Sequence, residues 1–157
     1  MYQPGELPMY MLTWPDNRKN QYGLSAAWLI QADSNWKVQL SSRADFINYT
    51  LTSTEAKDQM SVLGYTKMNR NDVLKNFSAV VTKSISKKVK ATASITYAER
   101  IPTASELYGF YLFNANDGYD YIGNVLLKKE TSLQGELSVA YTTSNSSIKI
   151  TGYYSKL

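Results

Sequence analysis

Hydrophobic and polar side chains alternate with a period of two along much of the chain. The clearest stretch covers 131–141, where apolar or small residues hold the odd positions and mainly polar residues the even ones. The same alternation returns in 148–154 and is also present upstream, in 89–97. A period of two is typical of a β-strand whose two faces meet different environments. The pattern therefore predicts two-faced strands and an all-β fold.

The alternation predicts about six strands, joined as three hairpins into an antiparallel meander. The expected strand ranges are about 21–30, 36–48, 74–82, 88–98, 131–142 and 147–155. The connections inside the hairpins are short and rich in Asp, Ser and Asn, which form tight turns. The two connections between the hairpins, 49–73 and 99–130, are much longer.

Connections that alternate between short and long are typical of one kind of membrane protein. Bacterial outer-membrane barrels join their strands by short periplasmic turns and long extracellular loops, whereas unstructured loops beyond about 15 residues are uncommon in compact soluble domains. We therefore interpret 21–157 as a segment of a transmembrane β-barrel, with one face toward lipid and the other toward water. The Pro-containing segment 1–20 is interpreted as the remnant of an extracellular loop.

The number of strands affects what the chain is expected to do alone. Membrane barrels of this kind have about eight strands or more. An open sheet in lipid leaves unsatisfied backbone groups at both edges, each costing several kcal/mol. We expect the chain to form part of a larger barrel and not to transport a solute by itself. The competing interpretation is a soluble β-sandwich that binds a ligand, such as a carbohydrate, through an aromatic loop.

Composition excludes several classes of function. The chain has no cysteine and no histidine, which removes disulfides, thiolate zinc sites and Ser-His-Asp or Cys-His catalysis. We expect no enzyme, no catalytic residue, no cofactor and no metal site. The net charge is only 17 − 13 = +4 and its basic residues are spread along the sequence, so a nucleic-acid partner is not expected.

Two sequence blocks frame the second long loop. The first block contains Arg100, Pro102, Thr103, Glu106, Tyr108 and Gly109. The second block contains Gly123, Asn124, Leu127, Lys128, Glu130 and Ser132. In this order they resemble the R-x-P-[ST]-x-x-E-x-[YF]-G and G-N-P-x-L-K-x-E-x-[ST] stretches of TonB-dependent outer-membrane receptors. The chain departs from that pattern at Val125 and Lys129, where the family usually or often has proline.

The resemblance implies an energy-coupled receptor in the outer membrane of a Gram-negative bacterium. Such a receptor binds and imports a scarce solute, typically an iron–siderophore or another metal complex. The implied partners are outer-membrane lipid, the remainder of the barrel, a plug domain that fills it, TonB acting through that plug, and the small-molecule ligand.

The motif residues also predict local structure. Thr103 and Glu106 have the spacing of a capping box, which predicts a helical turn over 104–108. Gly109 is expected to stop that turn in a left-handed conformation. A similar box in 52–55 predicts a short helix in the first long loop. We expect the motif residues to order the loop: Arg100, Pro102, Thr103, Glu106, Gly109, Gly123, Asn124 and Glu130.

Aromatic, amide and carboxylate side chains alternate between the two blocks. They suit capture of a flat, polar or chelated ligand by stacking and hydrogen bonding. The candidate ligand-binding residues are Tyr108, Tyr111, Phe113, Asn116, Asp117, Tyr119, Asp120 and Tyr121. The alternative is that these rings only pack the loop against its neighbours. Loose calcium binding also stays open, although the spacing does not fit an EF-hand.

Overall fold

The computed structural model of the protein describes residues 13–157. The elements in this range are β1 (Asn17–Gln31), β2 (Trp36–Leu51), α1 (Thr54–Val62), β3 (Arg70–Ser84), β4 (Val89–Arg100), α2 (Ala104–Tyr108), β5 (Leu112–Asn114), β6 (Tyr119–Tyr121), β7 (Glu130–Thr142) and β8 (Ser147–Lys156). The six long strands form one sheet in the order β1-β2-β3-β4-β7-β8. This order confirms the predicted six-stranded meander. The short strands β5 and β6 form a separate two-stranded sheet.

The chain divides into two compact units. The sheet unit comprises Gln21–Ile47, Asp72–Ile101 and Lys129–Leu157. The loop unit comprises Asn48–Asn71 and Pro102–Lys128, together with the segment that ends at Asn20. Both helices belong to the loop unit, and neither has the length and apolar character that would let a helix cross a membrane.

The strand register joins the predicted apolar rows into one continuous face. Phe77 lies opposite Tyr97, which in turn lies opposite Leu133. The next rows across the sheet are Ala79–Ile95–Gly135–Tyr154, Val81–Ala93–Leu137–Gly152, Lys83–Ala91–Val139–Ile150 and Val89–Tyr141–Ile148. Lys156 lies opposite Leu133, so two lysines lie at the ends of rows on this otherwise apolar face. Residues directly opposite each other point to the same side of a sheet. The alternation seen in each strand is therefore aligned across four neighbouring strands.

The apolar face is exposed, whereas the opposite face is polar and internally bonded. Leu137 and Ile150 on the apolar face are 69% and 74% exposed. On the other face, Thr82 and Thr92 share a hydrogen bond of 3.3 Å between their hydroxyls. A soluble sandwich would bury its apolar rows between two sheets. These exposures fit a face that meets lipid.

Both outer strands of the sheet have a free edge in the part of the chain that the structure describes. β1 has only β2 as a neighbour there, and β8 has only β7. Every residue of β8 is exposed. The sheet formed by residues 13–157 is therefore open rather than closed into a barrel.

Several boundaries differ from those expected. β1 already begins at Asn17, inside the segment assigned to a loop, while 1–12 lie outside the described residues. β2 continues to Leu51 because alternate side chains beyond the predicted end, including Tyr49, are buried. The predicted helix after β2 is confirmed, but its N-cap is Ser53, whose side chain accepts from Ala56 N at 3.0 Å. The Thr52 hydroxyl donates instead to the Asp16 carbonyl, also at 3.0 Å.

Candidate ligand-binding loops

The first motif block forms the predicted helical turn. The Thr103 amide donates to Glu106 Oε2 at 2.6 Å, and the Glu106 amide donates to the Thr103 hydroxyl at 3.3 Å. This reciprocal pair is a complete capping box at the start of α2. It satisfies two amides that a helix start leaves without intrahelical partners. The pair fixes where the turn begins.

Gly109 follows α2, but not in the left-handed conformation that was expected. Its φ is −59° and its ψ is 145°, values that any residue adopts, so that prediction is wrong. The space around it explains the glycine instead. A Cβ at this position would lie 2.4 Å from Leu112 Cδ1 and 2.6 Å from the Ser105 carbonyl oxygen. Gly109 permits close packing rather than an unusual backbone angle.

The second motif block is hydrogen-bonded directly to the first. The Gly123 amide donates to the Gly109 carbonyl at 2.6 Å, and the Asn124 amide donates to the Glu106 carbonyl at 2.9 Å. A Cβ on Gly123 would lie 2.6 Å from the Tyr108 backbone nitrogen. The two blocks therefore form one backbone-to-backbone junction within the loop unit. This close contact explains why position 123 is a glycine. It also explains why the two motif blocks occur together in the sequence.

Arg100 and Glu130 form an ion pair at the end of the β4–β7 ladder. They lie opposite each other in the register. The guanidinium makes two bonds to the carboxylate, Nε to Oε2 at 2.9 Å and Nη2 to Oε1 at 2.6 Å. Both side chains are about half exposed, and exposed pairs contribute about 0–1 kcal/mol. The pair therefore holds the ends of β4 and β7 together but adds little to the free energy of unfolding.

Tyr108 lies in the core of the loop unit. Its ring is fully buried and meets Tyr49 edge to face, with 6.3 Å between the centroids. Its hydroxyl donates to the Met68 carbonyl at 2.8 Å. Burial raises the pKa of Tyr108 to about 12, because the phenolate loses hydration there. Tyr108 therefore belongs to the packed interior of the loop unit.

The segment between the blocks contains a small hairpin that was not predicted. β5 and β6 pair with Leu112 opposite Tyr121 and Asn114 opposite Tyr119. Gly118 has a φ of 75° in the turn, which favours glycine. The hairpin displays three exposed aromatic rings, those of Phe113, Tyr119 and Tyr121.

The Asp117 carboxylate is held by donors of the same hairpin. It accepts from Tyr121 Oη at 2.5 Å, from Asn114 Nδ2 at 2.9 Å and from the Tyr119 amide at 3.0 Å. The Tyr121 hydrogen bond, followed by that of the Tyr119 amide, lowers the pKa of Asp117. Within residues 13–157, no three Cys, His, Asp or Glu side chains are grouped so that they could hold a metal ion.

A cavity of about 730 Å³ lies in the loop unit, and we call it the loop cavity. Its described lining residues are Thr13, Trp14, Ser105, Glu106, Leu112, Phe113, Asn114, Ala115, Tyr121, Ile122, Gly123, Asn124 and Leu127. This size is within the usual range for small-molecule sites, about 300–1,000 Å³. The lining combines ring and aliphatic surface with a few polar groups, which is also typical of such sites.

The loop cavity includes only some of the predicted ligand-binding residues. Of the candidates, Phe113 and Tyr121 line it. The remaining exposed candidates lie on the hairpin or next to it, without lining the cavity: Tyr111, Asn116, Asp117, Tyr119 and Asp120. Trp14 was missed because it is distant in sequence from the aromatic segment, and Leu127 was considered only as a motif residue. Leu112 and Ile122 were missed because only aromatic, amide and carboxylate side chains were considered as ligand-binding candidates.

A second cavity, of about 500 Å³, lies on the apolar face of the sheet. Its large lining residues include Trp28, Leu40, Phe77, Ile95 and Tyr97. Since its lining is almost wholly apolar, it lacks the convergent polar groups that orient a specific ligand. The loop cavity is therefore the better candidate site.

Comparisons with known proteins support the antiparallel β-sheet fold described above. The sequence matches the family model described as TonB dependent receptor-like, beta-barrel, over residues 3–157. Among solved structures, the chain is similar to the copper transporter OprC, with a TM-score of 0.69 and 16% identity. That match covers 88% of this chain and 20% of the length of OprC, and at this identity it shows the fold alone. No curated protein sequence matches the chain significantly.

Proposed function

The chain belongs to the family of TonB-dependent receptor-like β-barrels, and from this premise we propose that it supplies part of the wall and two ligand-binding loops of a receptor that imports a scarce solute. The family comprises outer-membrane transporters of Gram-negative bacteria rather than enzymes. The observation that carries the proposal is the sheet itself. Its apolar rows are aligned and exposed on one face, and polar residues fill the other.

The open edges of the sheet support a partner of the same architecture. Unpaired backbone groups at β1 and β8 would each cost several kcal/mol in lipid. Further strands of the receptor barrel would pair with both edges and remove this cost. A plug domain would then fill the bore and meet TonB, as the family implies. The chain alone would bind membrane but transport nothing.

The solute is proposed to be an iron–siderophore or another metal complex. The similar protein OprC is described as a copper transporter, which supports metal uptake as the broad class. The described lining of the loop cavity includes rings and amide groups, such as those of Phe113, Tyr121 and Asn124. Such groups recognise the organic part of a chelate by stacking and hydrogen bonding.

A flotation experiment separates a membrane-wall segment from a soluble β-sandwich. The full chain is diluted from urea into buffer with or without zwitterionic phospholipid vesicles, and the vesicles are then floated through a density gradient. We expect the chain to float with the vesicles and to precipitate without lipid, because its apolar face needs a lipid environment. A soluble monomer that melts cooperatively in plain buffer would contradict the proposal and favour the sandwich.

A further inference from the structure

A lysine lies on the exposed apolar face of the sheet, near one of its ends. We call this the turn end, because the short connections 32–35, 85–88 and 143–146 lie there. Lys83 lies opposite Ala91, so its side chain emerges on the apolar side. One further apolar row, Val89–Tyr141–Ile148, follows toward the turns. A charge in such a row is costly in lipid unless it reaches water or an opposite charge.

The Trp36 ring holds this lysine at the surface. Lys83 Nζ lies 4.7 Å from the ring centroid, within the about 6 Å of a cation–π contact. The Ser84 amide donates to the Asn35 carbonyl at 2.8 Å, which ties the two strands together at this level. An ammonium has three N–H donors, so it can contact the ring and still bond an oxygen from outside. Trp36 and Tyr141 are also the ring types typical of the membrane–water interface.

The turn end is rich in positive charge. Three more lysines follow Lys83 within the next seven positions, namely Lys87, Lys88 and Lys90. The carboxylate of the turn 32–35, that of Asp33, accepts from the Asn35 and Trp36 amides at 2.6 and 2.9 Å. Four lysines in eight residues therefore face one carboxylate that is already bonded to backbone. This balance favours an anionic partner at this end of the sheet.

The apolar cavity of about 500 Å³ lies on the same face, farther from the turns. Its lining residues Phe77 and Ala79 precede Lys83 by six and four positions on β3, or about 13–20 Å at about 3.3 Å per residue. The surface between them is apolar, as at Val81 and Ala93. Half of the hydrocarbon core of a bilayer is about 15 Å deep. The distance from the ammonium to the cavity therefore suits one lipid acyl chain, which needs no polar partner there.

We propose that Lys83 and Trp36 bind the phosphate group of an anionic membrane phospholipid, one of whose acyl chains lies along the apolar face and enters this cavity. The ammonium supplies the charge for the phosphate, and the ring fixes the position of the ammonium. The occupant belongs to the membrane and is not the imported solute. The inference rests on the proposed function, because it requires the apolar face to meet lipid.

Lipids brominated in their acyl chains test this site, since bromine quenches nearby tryptophan emission. The full chain carries Trp14→Phe, so that the remaining tryptophans, Trp28 and Trp36, lie on the cavity and beside Lys83. It is bound to phosphatidylcholine vesicles that contain increasing fractions of brominated phosphatidylglycerol or brominated phosphatidylcholine with the same chains. The quenching curves give the relative binding constant of the two lipids. We expect phosphatidylglycerol to bind about fivefold more tightly, which corresponds to the about 1 kcal/mol of one lysine near an anionic surface.

Substitution of the lysine should remove most of this preference, and a matched substitution elsewhere should not. Lys83→Gln removes the ammonium, whereas Lys83→Arg should keep the preference, because a guanidinium also contacts rings and binds phosphate. Lys156→Gln is the control. Lys156 lies on the same face, opposite Leu133, and is exposed, but it ends β8 at the other end of the sheet. It should keep the parent's preference, because Trp28 lies three positions before the end of β1 and so near the turn end.

The outcomes separate this inference from the proposed function. Equal binding constants for the two lipids on the parent chain would overturn the anionic site and leave the lipid-facing wall intact. The same result for Lys83→Gln and Lys156→Gln, whether a loss or no change, would overturn the assignment to Lys83. If neither brominated lipid quenched the tryptophans, the apolar face would not meet lipid, and the proposed function would fail together with the inference.

Discussion

Leu137→Arg is expected to weaken the transfer of the full chain from buffer into phospholipid vesicles by about 2–4 kcal/mol, or roughly 30- to 700-fold in the partition coefficient. Leu137 lies near the middle of β7, on the exposed apolar face, opposite Ala93 and Gly152 on the neighbouring strands. A guanidinium at this depth cannot reach water without distorting the bilayer. The partition coefficient is measured by flotation at a series of lipid concentrations.

Thr151→Arg is the matched control for this variant. Thr151 lies opposite Ser138, one position along from the Leu137–Gly152 pair, and so points to the other face at nearly the same depth. We expect its partition to stay within about 0.5 kcal/mol of the parent, as for an ordinary solvated surface position. An equal fall in the partition coefficient of the two variants, or no fall for Leu137→Arg, would show that the two faces do not differ in their contact with lipid.

Gly123→Val is expected to unfold the junction of the two motif blocks, at a cost of about 1–3 kcal/mol. The added side chain would begin 2.6–2.7 Å from backbone atoms of Leu107 and Tyr108. Backbone of a capped helical turn cannot move aside as a flexible side chain can. We expect roughly 5- to 140-fold faster protease cleavage within 102–128, measured by limited proteolysis of the full chain.

Gly135→Val serves as the control for this prediction. Gly135 lies in β7 on the apolar face, and a Cβ there would meet no atom within 4 Å. Its cleavage pattern should match that of the parent chain. Unchanged cleavage of the Gly123 variant, or equal sensitivity of the two variants, would remove the motif junction as the feature that orders the loops.

The six-stranded sheet could be predicted because the alternation of apolar and polar residues that produces it is local and recurs in several strands. Alternation in each strand fixes which side chains share a face, and the short turns fix the partners. The sequence could not reveal β5 and β6, since strands of three residues are too short to show a period. The extension of β2 to Leu51 was also hidden, because burial of Tyr49 depends on Tyr108 from a distant part of the chain.

The candidate site was predictable where its geometry is local. The capping box of Thr103 and Glu106 needs only a fixed spacing, and it formed as expected. Gly109 was misinterpreted because glycine after a helix has two explanations, a left-handed angle or a close contact, and only coordinates distinguish them. The burial of Tyr108 and the place of Trp14 in the loop cavity both arise from tertiary packing that no local spacing records.

The most direct measurement uses the absence of cysteine from the natural chain. Single cysteines are introduced one at a time at positions 133–141 of β7, a nitroxide is attached to each, and the full chain is bound to phospholipid vesicles. Collision rates are then measured with oxygen, which concentrates in lipid, and with a water-soluble nickel chelate. The account predicts that odd positions favour oxygen and even positions favour the chelate, alternating along the strand. Rates without this alternation, or with the two parities exchanged, would contradict it.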